Sequence, residues 1–194
     1  MVQSVLQQKA LLPGDVVPKY RTIYVPFNSV NGWAAALVGS GAGAPIIGEL
    51  TTSSLAGVRI QADADSFAFL YGFQDDVNVN APIDVRIVWS SDQTTIADTY
   101  TWNVNYSNLS EGVSANTAAA TAIGTAIATA VNNVLANGLQ FTEWGTFAAG
   151  SFTGTISDGY IALIELIATT NGGTVSTDLV IWFGIEFRYM PKRV

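Results

Sequence analysis

Leu179-Val180-Ile181-Trp182-Phe183-Gly184-Ile185-Glu186-Phe187-Arg188-Tyr189 decides the fold. With a period of two, Leu179, Ile181, Phe183, Ile185, Phe187 and Tyr189 fall on one side and Trp182, Gly184, Glu186 and Arg188 on the other, the pattern of a half-buried strand. At about 3.3 Å per residue the run spans roughly 35 Å, enough to cross a whole sheet of a β-sandwich. A strand of this length needs flanking partners from earlier segments, so the fold closes through contacts between distant parts of the chain.

Working outward, the same alternation recurs. Arg21 to Phe27 places Ile23, Val25 and Phe27 inward, and Pro26 puts this strand at a sheet edge or a strand end. Gly57 to Ala62 and Ser66 to Phe73 follow, the second with Phe67, Phe69, Tyr71 and Phe73 on one face. Four aligned rings point to core. A stacking platform for sugars or single-stranded nucleic acid would want polar or basic neighbours, and the flanks are Asp63, Asp65, Asp75 and Asp76. Ile83 to Trp89 sends Ile83, Val85, Ile87 and Trp89 in and Asp84 and Arg86 out, and Tyr100 to Tyr106 repeats the pattern, so the two read as an antiparallel pair with one wet face. Leu139, Phe141 and Phe147 align in a later strand. Tyr160 to Ala168 is apolar on both faces save Glu165, as in a strand inside a sandwich or beneath a helix. The total is about eight strands in one domain, 21–194.

Two segments depart from strand character. Residues 1–20 carry Pro13-Gly14 and Pro18 among the apolar Val5, Leu6, Leu11, Leu12, Val16 and Val17, which suits an extended arm lying on another surface. In 114–137, Ile123, Ile127, Ala130, Val131 and Val134 recur at three and four, with a second stripe of Thr117, Thr121, Thr125 and Thr129 and a stop at Asn137-Gly138. That spacing predicts a helical insertion, with Gly124 its weak point. The segment bears no charge, so the expected helix is covered on more than one side or packs against a copy of itself. Four threonines and two asparagines without a basic flank argue against a membrane span.

Apolar residues make up 49% and charged residues 12% of the chain, about half the usual share of charge, so much of the surface is expected to be covered by other protein. A net charge of −7 with eight thinly spread basic residues argues against nucleic-acid binding. The absence of cysteine and histidine excludes disulfides, Cys/His zinc sites, cysteine nucleophiles and Ser-His-Asp triads. The N-terminus lacks the basic start and apolar core of a secretory signal, which points to assembly in a cytoplasm. Gly39 to Pro45 is rich in glycine but has no phosphate-loop lysine. Asp63, Asp65, Asp75 and Asp76 are the nearest approach to a calcium constellation; without an EF-hand's glycine and closing glutamate they read as solvated turn residues, and no cofactor is expected.

Tyr20 to Phe27, then Thr99 to Tyr106, an Ala/Thr-rich insert, Leu139 to Gly145 and finally Ile185 to Tyr189 resemble, in that order, the small structural proteins of tailed bacteriophages, above all their jelly-roll capsid decoration or cement proteins. The resemblance implies an all-β jelly-roll sandwich with no catalytic residues. It also implies a homo-oligomer, a trimer, that sits on the capsid surface of a virion made in a host cytoplasm and binds the major capsid protein through its arm. Thr117, Thr121, Ile123, Thr125, Ile127 and Val131 are then the expected oligomer interface, and the apolar arm residues the capsid anchor. A receptor- or carbohydrate-binding tip of a tail fibre is the alternative, for which Trp33, Trp144 or Trp182 would be exposed beside aspartates. A glycoside hydrolase would need Glu143 and Glu165 about 5 to 10 Å apart across a cleft.

Overall fold

The structure, a computed structural model, describes residues 20–27, 46–49, 56–60, 66–91, 99–110, 112, 121–123, 127–130, 138–153, 155–156, 159–171 and 180–192. In chain order its strands are β1 (Arg21–Pro26), β2 (Ile46–Glu49), β3 (Ala56–Ile60), β4 (Ser66–Phe73), β5 (Ile83–Ser91), β6 (Thr99–Leu109) and β7 (Thr121–Ala122). They continue with β8 (Ile127–Ala130), β9 (Gln140–Phe141), β10 (Gly145–Phe147), β11 (Thr155–Ile156), β12 (Gly159–Asn171) and β13 (Val180–Tyr189). Every pairing between them is antiparallel.

The strands form two sheets. A seven-stranded sheet runs β10-β5-β13-β3-β2, with β1 also on β13 and β9 on β5; a six-stranded sheet runs β11-β12-β6-β7, with β4 on β12 and β8 on β6. β1 and β3 share one flank of β13, β9 and β10 share one flank of β5, and β7 and β8 share one flank of β6. When each shared flank is counted once and the short β2 and β11 are left as additions to β3 and β12, eight strand positions remain. The sheets then read 1-8-3-6 and 2-7-4-5, the strand order of a jelly roll.

The core lies between the sheets because their inward alternate positions are apolar. Ile83, Val85, Ile87 and Trp89 of β5 are buried, facing Trp102 and Val104 of β6 and Ile164 and Leu166 of β12. Rings carry much of the contact across the gap: Trp89 meets Trp102 at 4.5 Å between centroids, and Phe187 stacks on Tyr71 at 4.7 Å and meets Phe73 at 5.4 Å. Phe69, Tyr71 and Phe73 are thus core, while the side chain of Phe67 lies outside the described residues.

One expected pairing and three readings of single segments change. Ile83–Trp89 and Tyr100–Tyr106 are not an antiparallel pair: β5 lies on β13 in the seven-stranded sheet and β6 on β12 in the six-stranded one, because the apolar faces of both strands are buried by facing each other across the core, where Trp89 meets Trp102. The insertion is not a helix where it is described: Thr121–Ala122 and Ile127–Ala130 are strands laid along β6, Ile127 opposite Trp102 and Ala122 opposite Asn105. β-Branched Thr and Ile suit a pleated surface, and the flank of β6 lets the segment extend the sheet with Ile127 buried in the core opposite Trp102. Among the described residues no helix is long and apolar enough to cross a membrane.

The strict alternation of β13 also breaks. Trp182 stands opposite Trp89 and Gly184 opposite Val88, so Phe183 is an extra residue, a β-bulge. Parity reverses there: Trp182 joins Ile185, Phe187 and Tyr189 in the main core, while Ile181 and Phe183 cluster with Val88 on the outer face.

The third change concerns the predicted alignment of Leu139 and Phe141 with Phe147. Phe141 pairs with Val88 and Gly145 with Val85, which again leaves one residue too many between β9 and β10. Leu139 and Phe141 are exposed and Phe147 is buried.

Candidate binding face

The outer face of the seven-stranded sheet brings charged, aromatic and hydroxyl side chains together. Register sets its membership. Asp84 stands opposite Arg188 and Arg86 opposite Glu186 across β5 and β13; Tyr24 of β1 stands opposite Glu186, and Thr146 of β10 opposite Asp84. Each is an alternate position facing away from the core.

The charges at its centre are paired. Arg188 donates from Nε and Nη2 to Asp84 Oδ2 at 2.9 and 2.7 Å, Thr146 donates its hydroxyl to Asp84 Oδ1 at 2.9 Å, and Arg86 Nε donates to Glu186 Oε2 at 2.6 Å. Aromatic rings flank these pairs from both edges. The Arg86 guanidinium lies 4.4 Å from the Phe141 ring centroid and 4.5 Å from that of Trp144, and Arg188 lies 4.3 Å from Trp144 and 5.3 Å from Tyr20. Phe141, Arg86, Trp144, Arg188 and Tyr20 thus form a continuous run of cation–π contacts that fixes both arginines.

Tyr24 is held separately. Its ring lies across Gly184, where an added Cβ would come within 2.5 Å of Cε2 and 2.7 Å of Cζ and the hydroxyl oxygen, and its hydroxyl donates to the Phe183 carbonyl at 3.2 Å. The bulge and the missing side chain at 184 together make the seat for this ring. Partial burial and the neighbouring Glu186 carboxylate raise the phenol pKa, so Tyr24 is a neutral ring at ordinary pH. Tyr20 is 53%, Tyr24 46% and Phe141 42% exposed, so all three rings are open on this face.

The predicted site residues scatter by comparison. Asp76 is ion-paired with Arg21 and accepts a hydrogen bond from the Tyr189 hydroxyl, Asp75 is exposed, and Asp63 and Asp65 lie outside the described residues. Among the described residues no three Asp, Glu, His or Cys side chains come together as a metal site. Ile127 is buried in the chain's own core and Ile123 is packed against it, while Thr121 lies in β7; Thr117, Thr125 and Val131 lie outside the described residues, as do Val5, Leu6, Leu11, Leu12, Val16 and Val17. Of the tryptophans proposed for ligand stacking, Trp182 is fully buried, Trp144 lies on the outer face under two guanidinium groups, and Trp33 is not described. Glu143 is exposed beside β10 of the seven-stranded sheet and Glu165 sits in β12 of the six-stranded sheet. This outer face as a unit was not expected from the sequence, although Asp84, Arg86, Glu186 and Arg188 are legible there as outward positions of their strands.

No protein family matches the chain, and no curated protein matches it. Among solved structures it is similar to the mosquito-larvicidal Cry4Aa toxin of Bacillus thuringiensis, at 15% identity and a TM-score of 0.44 over 89% of this chain and 24% of the toxin. It is also similar to a non-crystalline cellulose specific carbohydrate-binding module, CBM28, at 10% identity and a TM-score of 0.34 over 76% of this chain and 79% of that module. The third likeness is to infectious bursal disease virus VP2 in its subviral particle, at 11% identity and a TM-score of 0.29 over 76% of this chain and 38% of that one. The chain therefore spans about a quarter of the toxin and well under half of the capsid protein. Overlaps this low carry no functional argument, and the assignment to an all-β, two-sheet antiparallel sandwich rests on the strand pairing itself.

Proposed function

We propose that the chain is a non-enzymatic structural protein of a virion, a capsid decoration or cement protein of the tailed-phage kind. The observation that carries this reading is how few charged residues the chain has. Charged residues are 12% of the sequence, and Asp76, Asp84 and Glu186 are each held in an ion pair. An enzyme of this fold needs carboxylates or a base converging on one substrate cleft, whereas the exposed Asp75 and Glu143 stand in separate loops, and a solitary soluble domain needs more ionised surface to stay apart from its neighbours. Binding through area satisfies both facts.

In this reading the chain acts as a homo-oligomer, a trimer, with its uncharged 114–137 segment, including Thr117, Thr121, Thr125 and Val131, against its copies. Residues 1–20 reach the major capsid protein. The six-stranded sheet faces inward to these partners: among the described residues β4 pairs with β12 alone, and Leu70 on it is 48% exposed and in register with Leu163. An unpaired strand edge with an exposed leucine is a surface that calls for cover. The protein partners neither nucleic acid nor membrane, and it works on the outer surface of a particle assembled in the host cytoplasm.

Sedimentation of the purified chain, followed by its localisation on intact particles by labelling, tests this. A trimer bound to the head surface is the expected outcome. A stable monomer that associates with no particle overturns it.

A further inference from the structure

The two sheets of a sandwich face opposite ways, so a protein docked through one displays the other. We propose that the displayed face of the seven-stranded sheet is a binding site for a neutral, pyranose-based glycan chain, with Tyr24 as its stacking platform.

Three features on this face meet the chemistry of such a ligand. A pyranose ring has an apolar face of C–H groups and an equatorial rim of hydroxyls that both donate and accept. The Tyr24 ring, seated across Gly184 with its hydroxyl tied to the Phe183 carbonyl, offers a fixed apolar surface to the first. Beside it, Glu186 and Arg86 offer acceptors and donors to the second, and their mutual ion pair holds them in place before any ligand arrives. Tyr20 on the β1 side and Phe141 on the β9 side extend the platform across β13 and β5, three strand spacings or roughly 14 Å, which suits a polymer of several sugar units better than one small molecule.

Charge selects among polymers. On this face Arg86 and Arg188 are balanced by Glu186 and Asp84, and the whole chain carries −7, so a polyanion gains nothing here and is repelled at longer range. A neutral glycan is indifferent to that field.

The test is native affinity electrophoresis of the full chain in gels containing hydroxyethyl cellulose, galactomannan or dextran as neutral polymers and alginate as the anionic one. The expected result is retardation by at least one neutral polymer and none by alginate. Tyr24→Phe retains it and Tyr24→Ala weakens it about tenfold, the loss expected for one stacked ring. Phe141→Ala, at an exposed position on the opposite edge, also weakens binding and keeps the test open if Tyr24→Ala fails to fold by circular dichroism. No retardation in any neutral gel overturns the proposal, as does retardation by alginate alone or unchanged retardation of both folded alanine variants. Self-association that Tyr24→Ala or Phe141→Ala abolishes also overturns it, because the face would then belong to a second copy of the chain. Particle attachment is scored separately, so the glycan site and the structural role can fail independently.

Discussion

The hydroxyl of Thr142 accepts the amide proton of Ile87 at 3.0 Å, standing in for a backbone carbonyl at the point where the edge strand carries its extra residue. The Thr142 amide in turn donates to the Ile87 carbonyl at 3.1 Å, and the Thr142 hydroxyl donates to the Glu143 carbonyl at 2.9 Å. Thr142 is buried, and its side chain closes the ladder that the bulged edge would otherwise leave open. Thr142→Val keeps the shape and removes the acceptor, leaving the Ile87 amide buried and unpaired. A loss of about 1–3 kcal/mol in urea unfolding is expected, with Thr142→Ser much milder.

Gly184 and Tyr24 form a second dependent pair. Gly184→Ala pushes a methyl group into the Tyr24 ring, which must lift and give up its bond to the Phe183 carbonyl, at about 1–3 kcal/mol. In the Tyr24→Ala background the same substitution becomes nearly harmless, and a double-mutant cycle of unfolding free energies measures the coupling. Gly57→Ala is the harsher control. Its methyl would run into the Trp182 carbonyl oxygen, and backbone cannot swing aside as a ring can.

Trp182 fills the core beside Phe27, with ring centroids 6.5 Å apart, but its buried indole N–H finds no hydrogen-bond partner among the described residues. Trp182→Ala leaves a large cavity and is expected to destabilise by about 3–5 kcal/mol. Trp182→Phe keeps much of the ring and removes the unsatisfied donor, so chemical denaturation should show less than half that loss.

Stability should fall in strong alkali. Burial, with a smaller contribution from the neighbouring Tyr189, pushes Tyr71 from 10.0 up to about 12, and burial likewise raises Tyr24 and Tyr189. Above pH 10 the unfolded chain releases the Tyr71 proton while the folded chain keeps it, so the folded state binds more protons and loses ground as pH rises. The contribution is complete below pH 10 and is gone once the pH passes about 12. Urea midpoints measured across that interval should decline in the wild type, and less steeply in Tyr71→Phe.

Strands whose alternation is clean were legible from sequence: Ile83, Val85, Ile87 and Trp89 are buried, and Asp84 and Arg86 turn outward. The bulge at Phe183 and the extra residue before Gly145 were not, because an inserted residue leaves the apolar pattern intact and only reassigns which side of it faces the core. Ile123 and Ile127 misled for a related reason. Their spacing of four fits a helical stripe, yet it also fits two short strands on either side of Gly124, and the partner that decides between these is β6, some twenty residues earlier. The outer face of the seven-stranded sheet was invisible as a unit for want of adjacency. Tyr24, Arg86, Trp144 and Glu186 come from four separated stretches, and local periodicity does not say which strands are neighbours.

The antiparallel register that sets Arg21 against Tyr189 has a consequence for biosynthesis. β13 is the centre of its sheet, bordered by β5 on one flank and by β1 and β3 on the other, so none of these can be fully joined until the ribosome has released the chain through Tyr189. Until then the earlier hairpins wait with apolar faces bare, and folding is a late, slow closure dominated by distant pairings. During that wait a nascent chain is open to chaperones and to its own copies.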